Sequence, residues 1–190
     1  MSTITLTSPV ANPESQRNGE SLYEVVNGER VELPAMSIYA AWIASRIHGI
    51  LWPFVEKGAL GTLVAEALFI LDVERDIRRR PDIAFVSAAK WPLDRPLPET
   101  GDWQLAPDLA VEVISPNDIF NQVVGKVGEY FDHGTTQVWL VLPSEREVYV
   151  YGSPTQVRIF TDLDILDGEP LLPGFQLPLA NLFQKKQMRQ

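Results

Sequence analysis

Asp82 and Glu112 stand in strand-like runs of mostly apolar residues, Arg80-Pro81-Asp82-Ile83-Ala84-Phe85-Val86 and Pro107-Asp108-Leu109-Ala110-Val111-Glu112-Val113-Ile114-Ser115. A carboxylate in such a run is unfavourable unless a cation, a metal ion or hydrogen bonds offset its desolvation. Two such acids are the donor type for one shared Mg²⁺, or Mn²⁺. Such an ion takes one or two carboxylates and fills its other positions with water and substrate phosphate. Asp82, Glu112 and the Val113 carbonyl supply that kind of partial shell. An ion held there lowers the pKa of a bound water and neutralises charge developing on a phosphodiester. Lys126, on the helix predicted to follow, is the cation that would orient the water or share that charge. The opposing reading pairs each acid with an arginine of the run Arg78-Arg79-Arg80.

Strand geometry sorts the acids. Side chains alternate faces, so Asp108, Ala110, Glu112 and Ile114 share one side of their strand while Leu109, Val111 and Val113 share the other. At about 3.3 Å per residue, the Cα atoms of Asp108 and Glu112 lie roughly 13 Å apart, too far for both to ligate one ion. Glu112 is therefore the partner for Asp82 if their strands are neighbours, and Asp108, just after Pro107, is expected to hydrogen-bond a turn. On the next helix Gln122, Lys126, Glu129 and His133 form one polar stripe beside Ile119, Val123, Val127 and Tyr130. Either that stripe is solvated, with Lys126 paired to Glu129, or it folds toward Asp82 and Glu112.

The elements that must position these residues follow from local signals. Asn27-Gly28 between Tyr23-Glu24-Val25-Val26 and Glu29-Arg30-Val31-Glu32-Leu33 predicts a hairpin. Ser37 can cap a long helix in which Ile38, Trp42, Ile43, Ile47, Ile50, Leu51 and Phe54 recur at helical spacing until Gly58. Residues 60–73 and 77–86 read as an antiparallel strand pair around Glu74-Arg75-Asp76. The proline-rich stretch 87–106 reads as a long loop, whose Trp91 and Trp103 either stack on bases or close the loop over the core. A strand over 109–114 leads through Ser115-Pro116-Asn117-Asp118 into a helix from about Asp118 to His133, capped by Asn117 and ended by Gly134. Strands over 137–142 and 147–151 follow, with a shorter one near 157–160. Hairpins together with a helical crossover give an α/β domain (α+β in its mixed sheet) flanked by two main helices.

With 190 residues, 45% of them hydrophobic, the chain fits one domain over 21–183 between a tail at 1–20 and a polar tail at 184–190. The net charge of −9 argues against broad electrostatic capture of nucleic acid, so a DNA-facing surface has to be a local patch, of which Arg75, Arg78, Arg79 and Arg80 are the densest. The absence of cysteine excludes thiolate sites and leaves oxygen as the metal donor. Met1 to Gly19 lacks the basic start and apolar core of a signal peptide, and Arg46 and His48 interrupt the apolar stretch 38–55, so no membrane span is expected and a cytoplasmic location is.

These residues resemble the Uma2 family, a bacterial and especially cyanobacterial group within the PD-(D/E)XK nuclease superfamily. The resemblance runs from about Tyr23 to Tyr151. It rests on Asn27-Gly28-Glu29 with Glu32, Arg80-Pro81-Asp82, the run Pro107 to Pro116, Lys126 with Glu129-Tyr130 and Gly134, and Val138-Trp139-Leu140-Val141. It implies a restriction-endonuclease-like core, Asp82 and Glu112 as metal ligands, and hydrolysis of DNA phosphodiesters. The superfamily's lysine normally follows the second acid by two residues, a place held here by Ile114; Lys126 matches a lysine on the following helix that takes over in the Uma2 pattern. Glu32 resembles an additional N-terminal acid of such nucleases and would assist catalysis, with Glu29 and Glu24 as competing choices. His48 lies too far along the long helix to match the histidine many members carry near its start. The expectation is a Mg²⁺-dependent endonuclease that works as a homodimer, because two related sites cut both strands most simply. The alternative is a silent nuclease fold serving as a DNA-binding or protein-interaction module, which Ile114 and the acidic balance favour.

Overall fold

The protein is described by a computed structural model covering residues 21–184 other than 100 and 117. The two expected tails, apart from residue 184, and the Asn117 cap lie outside the described residues. Asn27 and Gly28 both take positive φ, 51° and 82°, which is the backbone twist a two-residue hairpin turn needs. They join β1 (Tyr23–Val26) to β2 (Glu29–Glu32). The Ser37 side chain accepts the Ala40 N–H at 3.2 Å and so caps α1 (Ile38–Gly58). Ala40, Ile43, Ile47, Leu51 and Val55 form its buried face. The helix ends at the glycine expected to stop it, but Gly58 is its last helical residue and Ala59, at φ 48°, takes the left-handed cap position.

The strand pair expected over 60–73 and 77–86 is antiparallel, but each arm breaks in two. β3 (Gly61–Ala65) pairs with β6 (Ile83–Ser87), whereas β4 (Phe69–Asp72) pairs with β5 (Ile77–Arg79). The two breaks lie side by side. Pro81 has no N–H to give a ladder on one arm, Glu66 takes φ 51° on the other, and the Glu66 N–H donates to the Asp82 carbonyl at 3.2 Å. The inner halves join one sheet and the outer halves another, in the orders β2-β1-β5-β4 and, in the larger, β3 next to β6. Asp82 is thus not inside a strand, as its apolar run suggested, but at the break where the chain passes from one sheet to the other.

β7 (Leu109–Val113) runs antiparallel beside β6 and parallel beside β8 (Gln137–Leu142), and α2 (Phe120–Asp132) makes the crossover that a parallel pair requires. β9 (Glu147–Ser153) and β10 (Gln156–Thr161) continue the sheet antiparallel. Strand parity now has a physical content. Leu109, Val111 and Val113 join the core on the α1 side, while Ala110 packs with Val123, Val127 and Tyr130 of α2, so Glu112 faces α2. The α2 helix starts at Phe120 without a side-chain cap bond, and Gly134, at φ 90°, follows its end.

Three short elements escaped the sequence reading: β11 (Ile165–Asp167), β12 (Gln176–Pro178) and α3 (Leu179–Phe183). Three-residue strands are too short to show a period. They carry Leu166, Leu177, Leu179, Leu182 and Phe183 into the core beneath α1. In the loop 87–106, Trp103 is buried, stacks on Phe69 at 5.6 Å and meets the edge of Trp91 at 5.3 Å; the tryptophans close the loop over the core. Asp108 accepts the Ser87 N–H at 2.7 Å and pairs with Lys90 at 2.9 Å, the turn role its position predicted. Among the described residues no helix is long and apolar enough to cross a membrane.

Candidate active site

The last ladder pair between β6 and β7 is Ile83 with Val111; one step further, the chains bring Asp82 and Glu112 together. The break before β6 frees Asp82 from the ladder, and its Oδ2 accepts the Val113 N–H at 2.6 Å. Val113 therefore serves first through its amide, anchoring Asp82. Both acids line a pocket of about 80 Å³ together with Val113, Ile114, Ser115, Asp118, Arg80 and Lys126. Neither carboxylate is paired to Arg78, Arg79 or Arg80. Arg78 bonds Asp76 and Asp102, each at 2.7 Å; Arg79 bonds Glu24 and Glu129; and Arg80 donates to the Tyr23 and Glu66 carbonyls. Of the run expected as the densest DNA-facing patch, Arg79 is buried, Arg78 and Arg80 are half-buried with these partners, and Arg75 stays exposed.

Lys126 comes from the polar stripe of α2, which folds inward. Its Nζ lies 3.0 Å from Glu24 Oε1 and 3.7 Å from Glu112 Oε2, while Glu129 turns to Arg79 at 2.6 Å. The solvated Lys126–Glu129 pair is not formed. Farther along the stripe, His133 approaches Asp72 at 3.5 Å.

Glu24 is a competing choice in the sequence, where Glu32 is the preferred assisting acid. It is 2% exposed and takes three partners: Arg79 at 2.7 Å, Lys126 at 3.0 Å and the Arg80 N–H at 3.1 Å. Glu32, on the fully exposed β2, instead lines a groove of about 760 Å³ between the hairpin and α2, with Glu24, Glu29, Glu129 and Lys126 also in its walls. The structure places Asp82, Glu112 and Lys126 at one pocket and leaves Glu32 outside it. His48 lies tilted against Trp52, ring centroids 5.5 Å apart, and lines a separate cavity that also borders Asp82. Tyr130, which the sequence marks as an apolar helix position and part of the family resemblance but gives no site role, is fully buried and its hydroxyl donates to Glu112 Oε1 at 2.8 Å. Its apolar helix spacing marks a core residue, and nothing in that spacing reveals where the hydroxyl points.

Electrostatics ties these groups together. Burial, and then the neighbouring Glu112 charge, push the Asp82 pKa up to about 8. Burial also raises that of Glu112, against the pull of Lys126. Burial would lower the Lys126 pKa, but the Glu112 and Glu24 carboxylates outweigh it and the net shift is upward, so the ammonium stays charged. Among the described residues no three His, Asp or Glu side chains are arranged to hold an ion. Two carboxylates are enough for a Mg²⁺-type ion, whose remaining positions go to water and phosphate. An acid pair that retains a proton near neutrality is one whose charges are under-compensated, and a divalent cation would complete that compensation. The donor set therefore fits a hard, oxygen-liganded ion.

Two comparisons bear on this arrangement. A crystal structure of a protein from Anabaena variabilis ATCC 29413, described as a "putative nuclease belonging to DUF820", superposes with a TM-score of 0.73 at 21% identity, over 85% of this chain and 89% of that one. The mixed sheet with α1 and α2 on its two faces is thus a restriction-endonuclease-like core. No protein of curated function matches. The Uma2 family model, described as "Putative restriction endonuclease", matches residues 12–180, and the chain belongs to that family.

Proposed function

We propose that this protein is a divalent-metal-dependent endonuclease that hydrolyses phosphodiester bonds of DNA. The observation that carries the proposal is the convergence on one pocket of Asp82 from the break before β6, Glu112 from β7 and Lys126 from α2. The family description and the nuclease neighbour support the reaction class and the substrate. Asp82 and Glu112, with the Val113 carbonyl, would hold Mg²⁺ or Mn²⁺. Such an ion supplies a bound water of lowered pKa and positive charge against a phosphate.

The chain's own residues do the rest. Lys126 carries a raised pKa, so its role is that of a donor that orients the attacking water or meets charge on the phosphate, rather than that of a base. Glu24 holds the Lys126 ammonium on one side and Arg79 on the other. The assistance that the family resemblance assigned to Glu32 falls in this proposal to Glu24. The superfamily's usual lysine place, Ile114, lines the same pocket; the amine has changed its point of attachment and not its destination.

The test is incubation of the purified protein with mixed-sequence plasmid and genomic DNA, with Mg²⁺, with Mn²⁺ and with EDTA. The expected result is strand cleavage that requires either ion. Cleavage that persists unchanged in EDTA contradicts metal dependence.

A further inference from the structure

Tyr130 fills a place in the apolar cluster of Ala110, Val123, Val127, Val138 and Leu140 on the α2 face of the sheet. A phenylalanine would occupy the same volume. The hydroxyl therefore needs a separate reason, since a buried O–H is unfavourable without a partner. Among the described residues its one hydrogen bond is the 2.8 Å donation to Glu112 Oε1.

That bond divides the work of the carboxylate. With Oε1 held by Tyr130, Oε2 is the oxygen nearer Lys126, at 3.7 Å. Asp82 is treated the same way: the Val113 amide holds its Oδ2 at 2.6 Å, and among the described residues Oδ1 accepts no hydrogen bond. Each acid is thus fixed through one oxygen by a neutral donor on rigid backbone or in packed core. A long glutamate side chain has several rotamers to lose on binding an ion, and a fixed donor removes that cost beforehand.

We propose that Tyr130 is a positioning residue of the ion site: its hydroxyl fixes the Glu112 carboxylate so that Oε2 is presented to the ion and to Lys126. This rests on the proposed metal-dependent function. The test reads Mn²⁺ binding directly, by titration calorimetry of the full chain with Mn²⁺ alone, in wild type, Glu112→Ala, Tyr130→Phe and a variant carrying 4-aminophenylalanine at 130, which keeps a donor there. Melting temperatures are measured on the same samples. The expected result is a Kd weakened about tenfold or more in Tyr130→Phe, largely restored by 4-aminophenylalanine. Mn²⁺ bound by wild type, lost in Glu112→Ala and unchanged in Tyr130→Phe overturns the role of Tyr130 alone. A 4-aminophenylalanine variant that binds as weakly as Tyr130→Phe also overturns it. No Mn²⁺ binding by wild type overturns the metal site as well.

Discussion

Glu24 Oε1 and Lys126 Nζ lie 3.0 Å apart, joining the first strand of the hairpin to the crossover helix inside the fold. Glu24 also holds the buried Arg79. Removing one partner of a buried ion pair leaves the other charge desolvated and unpaired, at a cost of about 3–5 kcal/mol. Glu24→Ala is expected to lose stability on that scale in urea unfolding, and Glu24→Gln less because it retains an acceptor. A Glu24→Ala protein as stable as wild type would show that Arg79 and Lys126 have other compensation.

Asp82 makes the ion-free protein sensitive to pH. Its folded pKa of about 8 lies above the ordinary 3.8, so the folded chain holds a proton that the unfolded chain has lost. The stability tied to that proton is fully present below the ordinary value and is lost as pH rises toward about 8. Stability in EDTA should therefore fall between roughly pH 4 and pH 8 more steeply in wild type than in Asp82→Asn. Under the proposed function Mg²⁺ would bind the ionised pair, so its stabilising effect should grow over the same window. Equal slopes in wild type and Asp82→Asn would remove Asp82 as the source.

Trp103 tests the loop. Its ring is 6% exposed and stacked on Phe69, so Trp103→Ala should cost about 3–5 kcal/mol, as large-to-small core changes do. The measurement is chemical denaturation. A change below about 1 kcal/mol, paired with loss of DNA binding, would return Trp103 to the base-stacking role.

Much of this site was legible because strand parity is a strong constraint. A period of two placed Glu112 on the face opposite Val111 and Val113, and its spacing from Asp108 separated the two acids; the structure puts Asp108 on Ser87 and Lys90 and Glu112 at the pocket. The Asn27-Gly28 turn and the Ser37 cap were legible because each acts within a few residues. What was not legible depends on contacts distant in sequence. The division of 60–86 between two sheets hinges on Glu66 and Pro81 breaking at the same level. The choice of Glu24 over Glu29 or Glu32 depends on which strand of the hairpin lies against β5. Tyr130 follows the helical period of a core residue, and only the position of Glu112 across the interface gives its hydroxyl a function.

Asp82, Glu112 and Lys126, from three separate segments of the chain, are proposed to form one metal-dependent hydrolytic site. This is tested most directly by the DNA cleavage rate of wild type beside Asp82→Ala, Glu112→Ala and Lys126→Ala at saturating Mn²⁺, with folding of each variant verified by circular dichroism. Each folded variant is expected to fall by about 10²-fold or more, the scale on which a single charge-stabilising donor or a catalytic group acts. Cleavage at the wild-type rate in all three variants would contradict it.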